Sequence, residues 1–314
     1  DDIDVTAQFA IDQYTLTYDT DGHGHIDGDT PQTVDCNGDG TQVTADPDTG
    51  YHFVQWSDGV ATAARTDTGI TGDIDVTAQF AINEYTLTYT AGDHGSITGE
   101  SPQTVDYDSD GTQVTADPDV HYHFVQWSDE VATAARQDTN VTEDISVTAQ
   151  FAIDQYALTY TTDGHGSIQG DTPQTVDYDG DGTQVTADPD TGYHFVQWSD
   201  GVATAARTDT GITGDIDVTA QFAINQYTLT YTSGANGSIQ GASPQTVDHG
   251  NDGSAVAAVP DAGYLFSRWS DGVNSAIRTD TGVTGDIDVT AEFGHNKHTV
   301  TFIDFDGAVL KKQQ

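Results

Sequence analysis

The chain has 314 residues, of which 51 are acidic and 8 are Lys or Arg, so that its formal net charge is −43. It lacks the clustered basic residues that bind nucleic acid or an anionic membrane surface, and we expect neither as a partner. The single cysteine forms no internal disulfide, which excludes a disulfide-stapled fold. Adaptation to high salt, calcium binding and simple solubility are three competing sources of the acidity.

The four tryptophans of the chain mark a repeat with an interval of 71 residues. A tyrosine that opens each unit and a phenylalanine that closes it keep the same interval. Periodicity of this length is typical of a tandem array of one small module. We therefore predict six segments: the closing strand of a preceding repeat at 1–13, repeat 1 at 14–84, repeat 2 at 85–155, repeat 3 at 156–226, repeat 4 at 227–297, and the start of a different module at 298–314.

Residues 1–13 and the modules show the alternation of apolar and polar side chains that is typical of half-buried strands. In repeat 1 the pattern predicts strands at 14–18, near 32–34, at 41–45, through Trp56 and at 74–80, separated by Gly- and Asp-rich turns. Only 60–65 has any helical character, and this segment is too short for a stable helix. We predict a mainly β fold, and the short linkers between modules favour an elongated, fairly stiff rod.

Three recurring segments carry a family resemblance. They are Tyr-Thr-Leu-Thr-Tyr at 14–18, Gly-Tyr-His-Phe-Val-Gln-Trp-Ser-Asp-Gly at 50–59 and Thr-Gly-Asp-Ile-Asp-Val-Thr-Ala-Gln-Phe at 71–80. Together they resemble the divergent InlB B-repeat family, a relative of the Listeria–Bacteroides repeat, and 298–310 resembles the opening of the non-divergent version. The resemblance implies small β-grasp-like or all-β modules, set in tandem within large surface proteins of bacteria and archaea, and it implies no catalytic residues.

An acidic loop in each module is the sharpest local signal for a ligand. Residues 35–40, 106–111 and 177–182 fit D-x-[DN]-x-[DN]-G, the first half of a calcium loop in which alternating carboxylates converge on the ion. An Asp also occupies the twelfth position, where a bidentate acid normally completes the coordination. The candidate calcium ligands are Asp35, Asn37, Asp39 and Asp46 in repeat 1, Asp106, Asp108, Asp110 and Asp117 in repeat 2, and Asp177, Asp179, Asp181 and Asp188 in repeat 3.

The alternative for these loops is a solvated hairpin turn, since Asp and Gly are common turn residues. Asp is shorter than the usual Glu at the twelfth position, and the residues before it are typical of a strand that ends, not of a helix that begins. Repeat 4 has Val259 at that position, so that its loop should bind nothing. Calcium is the one candidate cofactor, and both interpretations stay open.

Two other recurring residues have a structural and a functional interpretation. Trp56 and its equivalents form either the core of their modules or a platform for stacking sugars, and the small size of a module favours the core. Arg65 recurs with Asp67 two residues later, which predicts a structural ion pair rather than an anion site. Histidines such as His52 and His121 have no Cys partner, and neighbours on a strand alternate faces, so that we expect no transition-metal site.

The chain shows no motif of a known catalytic class. Nucleophile elbows, zinc-protease helices, Walker loops and dinucleotide-binding fingerprints are absent from the sequence. We predict a non-enzymatic stalk or spacer of an extracellular, cell-surface adhesin or filament, whose partners are the neighbouring repeats and also other protomers or surface glycans. The alternative is a module that binds a glycan or a protein through calcium-ordered loops. The charge further predicts, as in a halophilic protein, that folding needs salt or divalent cations.

Overall fold

Every module of the chain is built from seven strands, and the described residues contain no helix. The structure is a computed structural model that describes residues 1–295, 297 and 300–313. No helix of this part of the chain therefore meets the length and apolarity that crossing a membrane requires. In repeat 1 the strands are β1 (Gln13–Thr20), β2 (Gly24–Asp27), β3 (Gln32–Asp35), β4 (Val43–Pro47), β5 (Tyr51–Trp56), β6 (Ala64–Arg65) and β7 (Ile74–Ile82).

The other three modules repeat these strands with the same spacing. Repeat 2 has β8 (Glu84–Ala91), β9 (Gly95–Thr98), β10 (Gln103–Asp106), β11 (Val114–Pro118), β12 (Tyr122–Trp127), β13 (Ala135–Arg136) and β14 (Ile145–Ile153). Repeat 3 has β15 (Gln155–Thr162), β16 (Gly166–Gln169), β17 (Gln174–Asp177), β18 (Val185–Pro189), β19 (Tyr193–Trp198), β20 (Ala206–Arg207) and β21 (Ile216–Ile224). Repeat 4 has β22 (Gln226–Ser233), β23 (Gly237–Gln240), β24 (Gln245–Asp248), β25 (Val256–Pro260), β26 (Tyr264–Trp269), β27 (Ile277–Arg278) and β28 (Ile287–His295). The chain divides into two compact units, Asp1–Asp154 and Gln155–Gln314, and each unit contains two modules.

The larger sheet of each module has four strands, in the order β3-β1-β7-β5 in repeat 1. Strands β1 and β7 lie parallel at its centre, with Leu16 opposite Ile74, and β3 and β5 pair antiparallel at the edges. The two central strands consist of the β-branched and aromatic runs that favour a strand with neighbours on both sides. A parallel central pair with antiparallel edges is β-grasp-like, and the predicted mainly β fold is confirmed.

A second sheet of three antiparallel strands, β2-β4-β6, packs against the larger sheet. Val43 and Ala45 of β4 are buried in the same core as Leu16 and Trp56. Neither β2 nor β6 was expected from the sequence, because β2 lies in a Gly-rich segment that reads as a turn and β6 has two residues. Segment 60–65, which was judged too short for a stable helix, forms none and ends in β6, where Arg65 pairs with Val43 as part of the sheet.

The spacing of Tyr51, Phe53 and Trp56 depends on a bulge in β5. Residues two apart on a strand share a face, so that a regular strand with Phe53 on the core side would turn Trp56 towards solvent. The pairing of β5 with β7 shifts between Phe53 and Gln55, which places Val54 in the bulge. As a result Trp56 returns to the core side and is 0% exposed, whereas Val54 is 44% exposed.

The two ends of the chain do not follow the plan of the modules. Residues 1–12 form no strand, and Phe9 is 94% exposed. The strand of the same sequence in repeat 1, β7, is held between β1 and β5, and no described strand flanks residues 1–12 in this way, so that the predicted closing strand is not formed. The change of module predicted at 298 falls on His298, which lies outside the described residues. Beyond it, β29 (Val300–Ile303) and β30 (Val309–Gln313) form an antiparallel hairpin.

Candidate functional site

The tryptophans lie at the centre of their modules, and all four are 0% exposed. In repeat 1, Tyr18 meets Trp56 edge-on with ring centroids 5.8 Å apart, and Phe53 lies 6.0 Å from the same ring. The indole nitrogen of Trp56 donates a hydrogen bond to the carbonyl of Thr62 at 3.1 Å, so that its one polar atom is satisfied. The predicted core packing is confirmed, and a sugar-stacking platform formed by these tryptophans is excluded.

A buried arginine covers one side of this aromatic core. The side chain of Arg65 is 6% exposed, and its guanidinium lies 5.1 Å from the ring centroid of Trp56 and 5.7 Å from that of Tyr18. It donates hydrogen bonds to both carboxylate oxygens of Asp58 and of Asp67, at distances from 2.7 to 3.2 Å. The ion pair predicted with Asp67 is confirmed, and Asp58 adds a second carboxylate that the sequence did not indicate. Equivalent ion pairs surround the other three arginines of the series: Arg136, Arg207 and Arg278.

Burial and hydrogen bonding shift the ionisation of this cluster. Burial lowers the pKa of Arg65, but the hydrogen bonds to Asp67 and Asp58 outweigh it and raise that pKa above its usual value. The hydrogen bond from Arg65 lowers the pKa of Asp58. Burial, followed by the hydrogen bond to Asp67, raises the pKa of Tyr18. The buried guanidinium and the carboxylates that it bridges therefore stabilise one another's charged forms.

The acidic loop of each module is a turn that forms hydrogen bonds with a second loop of the same module. In repeat 1, the amide of Asn37 donates to the carbonyl of Ile70, and the amide of Ile70 donates to the carbonyl of Gly38. The carboxylate of Asp39 accepts a hydrogen bond from the amide of Gly69 at 2.8 Å. Asp39 therefore stabilises the contact between the two loops, in the way that Asp side chains stabilise turns elsewhere.

The equivalent loops of repeats 2 and 3 have the same geometry. Asp110 and Asp181 accept hydrogen bonds from the amides of Asn140 and Gly211, each at 3.0 Å. Asp108 also accepts a hydrogen bond from the side-chain amide of Asn140 at 3.2 Å. The residue at the third position of each candidate calcium loop has a left-handed backbone: Asn37 (φ 63°), Asp108 (φ 59°) and Asp179 (φ 59°).

The structure divides the candidate calcium ligands between two sheets. The first residue of each set, Asp35, Asp106 or Asp177, ends a strand of the four-stranded sheet, and the next two lie in the turn that follows. The residue at the twelfth position lies instead in a strand of the three-stranded sheet, as Asp46 in β4, Asp117 in β11 and Asp188 in β18. In the described part of the chain, the loop carboxylates form no group of three whose oxygens lie within 4.8 Å of one another. The twelfth residue thus does not complete a coordination shell with its own loop.

A buried glutamine at the start of the same turn was missed by the sequence analysis. The side-chain amide of Gln32 donates to the carbonyls of Asp29 and Thr41, and its oxygen accepts from the amide of Thr41 at 2.7 Å. These bonds fix both ends of the segment that contains the acidic loop. The same bonds are formed by the glutamines at the 71-residue interval: Gln103, Gln174 and Gln245. This recurrence is the feature of the sequence that could have indicated a structural role for the glutamine.

The second residue of the acidic loop joins the two modules of the first unit. Only Asn83 separates β7 of repeat 1 from β8 of repeat 2. The amide of Asn83 donates to the carbonyl of Gly50 at 2.8 Å, and the amide of Tyr107 donates to the carbonyl of Asn83 at 2.7 Å. The ring of Tyr107 lies so close to Gly50 that a Cβ atom at this position would overlap it, and Gly50 also has a left-handed backbone with φ 83°. We call this set of contacts the joint.

The second unit contains the same joint with a different side chain. The amide of Asn225 donates to the carbonyl of Gly192, and the amide of His249 donates to the carbonyl of Asn225, both at 2.8 Å. The imidazole of His249 lies over Gly192 where Tyr107 lies over Gly50. Its Nδ1 is the one buried side-chain polar atom without a hydrogen-bond partner among the residues described. The sequence analysis treated this loop position only as part of a candidate ion site, and no residue pattern indicated a contact between modules.

The fold and the joints define a tandem-repeat protein made of small β modules, each with its own core. The chain belongs to the divergent InlB B-repeat domain family, whose model matches residues 14–84, 85–155, 156–226 and 227–297. The resemblance found in the sequence is confirmed, and membership in a family of repeat domains points to a structural rather than a catalytic role. Among solved structures, the chain is similar to the Bacillus anthracis TIE protein, with a TM-score of 0.38 and 10% sequence identity over 92% of this chain and 76% of that chain.

Proposed function

We propose that the chain is a non-enzymatic spacer in a large extracellular surface protein of a bacterium or an archaeon. The observation that carries this proposal is the joint. In each unit, one linker residue, two backbone hydrogen bonds and one ring hold a module to the next one. A binding module that acts alone does not need such a contact, whereas a spacer that transmits position along the chain does.

The packing inside the modules fits this role. Each module buries its own tryptophan, tyrosine and phenylalanine residues in a separate core. In repeat proteins of this type the stability is approximately the sum of the stability of each repeat and of the contacts between neighbours. The number of modules can then change without loss of folding, and the length of the spacer follows that number. The neighbouring repeats are thus the first partners of every module.

The acidic surface suits a segment that stays extended and soluble outside the cell. Self-repulsion of a chain with a net charge of −43 opposes compaction between modules. Calcium binding by the acidic loops stays a prediction. An ion in such a loop would be held by oxygens of the turn, and water would have to replace Asp46, Asp117 or Asp188, which lie in the other sheet.

Small-angle X-ray scattering tests the spacer directly. The chain is compared with a variant that lacks 156–226 and with one that lacks 85–226. We expect the maximum dimension to decrease by one constant increment per module removed. A maximum dimension that does not follow the number of modules would contradict the proposal. Specific binding of the chain to a panel of polysaccharides in the presence of calcium would favour the alternative of a recognition module in a surface adhesin.

A further inference from the structure

Repeat 1 differs from the other modules on the exposed face of its three-stranded sheet. His25 and Asp27 are two residues apart on β2, so that their side chains project from the same face. His25 is also paired across the sheet with Asp46 of β4. The three side chains are 55% to 66% exposed and together form what we call the His25 cluster.

The atoms of the His25 cluster have the separations that a bound metal ion requires. Nε2 of His25 lies 3.4 Å from Oδ1 of Asp27 and 3.6 Å from Oδ2 of Asp46, and all three ligand atoms lie within 4.8 Å of one another. Two ligand atoms that are each about 2.1 Å from a tetrahedral Zn²⁺ ion lie about 3.4 Å apart. Among the described residues this is the one group of three His, Cys, Asp or Glu side chains with such spacing.

Among the described residues, the carboxylates of Asp27 and Asp46 form ion pairs with His25 alone. Neither Asp27 nor Asp46 has a side-chain hydrogen bond to another residue in the described chain, whereas Asp39 accepts one from the amide of Gly69 and Asp67 accepts two from the side chain of Arg65. Nε2 of His25 is too far from both carboxylates for a good hydrogen bond. The cluster is thus held by two long, exposed ion pairs of His25, and a metal ion would bind the same three atoms.

Repeat 3 shows what this face is like without the cluster. Ser167 and Gln169 occupy the positions of His25 and Asp27, and the side-chain amide of Gln169 donates to Asp188 at 3.4 Å. This contact is as long as that of His25 with Asp27, so that the two modules differ here in the type of side chain and not in the separation. In repeat 1 the same position holds a second carboxylate, Asp27, which is diagonal to Asp46 because it pairs with Thr44. His25 lies within ion-pair distance of both carboxylates.

We propose that His25, Asp27 and Asp46 bind one divalent transition-metal ion, for which Zn²⁺ is the first candidate. Imidazole with carboxylates is a ligand set for transition metals, whereas Ca²⁺ prefers oxygen ligands alone. The three side chains occupy one side of the ion, and water fills the positions that face solvent. The expectation from the sequence that the chain has no such site rested on histidines such as His52 and His121, and it did not consider His25, beside which β4 places Asp46.

Isothermal titration of Zn²⁺ into the full chain tests the site, after removal of metals by chelation and in high salt, which screens the general attraction of an acidic surface. We expect one ion per chain. His25→Ser and Asp27→Gln restore the residues of repeat 3 and should keep the fold, which circular dichroism checks. Each should weaken binding by at least about 10- to 100-fold, because even the loss of an outer-shell partner has an effect of that size.

The matched control is His123→Ser. His123 lies 3.0 Å from Asp154 and, among the described residues, belongs to no group of three potential ligands, so that the variant should still bind one ion with unchanged affinity. Co²⁺ gives a second readout, since a tetrahedral site changes its visible absorption spectrum. Zinc binding that survives in the His25→Ser variant, or that Ca²⁺ at equal concentration abolishes, would overturn the proposal.

Discussion

The phenol oxygen of Tyr18 donates a hydrogen bond of 2.7 Å to Asp67, a residue that also accepts two hydrogen bonds from Arg65. The same bond joins Tyr89 to Asp138, Tyr160 to Asp209 and Tyr231 to Asp280. Because the tyrosine belongs to the first strand of the module and the Asp follows the sixth, the bond ties the two ends of the core together. The buried Arg65 contacts both residues of this bond, since its guanidinium lies over the ring of Tyr18 and donates hydrogen bonds to Asp67.

Loss of the buried arginine should destabilise a module strongly. Removal of one partner from a buried ion pair leaves charge without compensation, and we expect Arg278→Ala to lower the free energy of unfolding of repeat 4 by about 3 kcal/mol, the lower end of the range for such pairs, because Asp271 is partly exposed. Hydrogen exchange of the amides in β22 and β28 measures the effect in this module alone.

Arg268 of the same module provides the matched control. It pairs with Glu292 at 2.9 Å, but both side chains are largely exposed. Arg268→Ala should therefore change the stability by only about 0.2 to 1 kcal/mol. Equal effects of the two substitutions would show that burial of Arg278 does not determine its contribution.

The buried tyrosines should make the fold sensitive to alkaline pH. Burial, with the hydrogen bond to Asp280 as the next cause, raises the pKa of Tyr231 above its ordinary value of 10.0, and the equivalents Tyr18, Tyr89 and Tyr160 are shifted in the same direction. The folded state therefore holds these protons more tightly than the unfolded state. Their contribution to stability is fully present below about pH 10 and is lost as the pH rises through the folded pKa.

Near-ultraviolet absorbance of tyrosinate measures this effect. Of the 14 tyrosines, we expect these four to ionise only in the transition in which circular dichroism shows unfolding. Tyr231→Phe should reduce that number to three. Ionisation of all tyrosines before any loss of β structure would contradict the prediction.

A side chain at position 50 should weaken the contacts of the joint between repeats 1 and 2. Gly50→Ala and Gly59→Ala place Ala at nearly the same left-handed angles, φ 83° and φ 89°, and each should destabilise repeat 1 by about 1 to 2 kcal/mol. Only the Cβ atom at Gly50 meets Tyr107, since nothing lies within 4 Å of the one at Gly59. Hydrogen exchange at the amides of Asn83 and Tyr107 should accelerate in the first variant more than in the second. Equal acceleration in both would mean that the ring does not hold the joint.

Salt should stabilise the chain, because its acidic residues repel one another. The screening length falls from about 30 Å at 0.01 M to about 3 Å at 1 M ionic strength, and we expect the midpoint of thermal unfolding to rise over this range. Equal midpoints in low and high salt would contradict the expected role of the charge.

The acidic loops are tested by comparing calcium with sodium chloride at matched ionic strength. A specific calcium site would raise the midpoint of thermal unfolding above the sodium control, and the Asp108→Ala variant would lose this gain. A solvated turn would give a midpoint that follows ionic strength alone.

Sequence periodicity predicted the modules, the core tryptophans and most strands, because these depend on which residues face inward. Trp56 could be placed in the core from its apolar neighbours, although the bulge that turns it inward has no local signature. The acidic loop shows the limit of this reasoning. Asp46 has the spacing of a calcium ligand along the chain, yet strand pairing carries it into another sheet and beside His25. Contacts between modules, such as that of Tyr107 with Gly50, could not be predicted from the sequence either, because each partner is an ordinary turn residue within its own repeat.

The residue that closes each joint differs between the two units, Tyr107 in one and His249 in the other, while the backbone bonds around it are the same. This side chain is not among the buried core residues of its module, and its ring lies beside the tyrosine that opens the module, Tyr85 or Tyr227. The exchange of Tyr for His at this position thus changes the ring that covers the glycine, while both backbone bonds of the joint remain. One array can therefore carry joints of different chemistry, aromatic in one place and ionisable in another, on one unchanged backbone design.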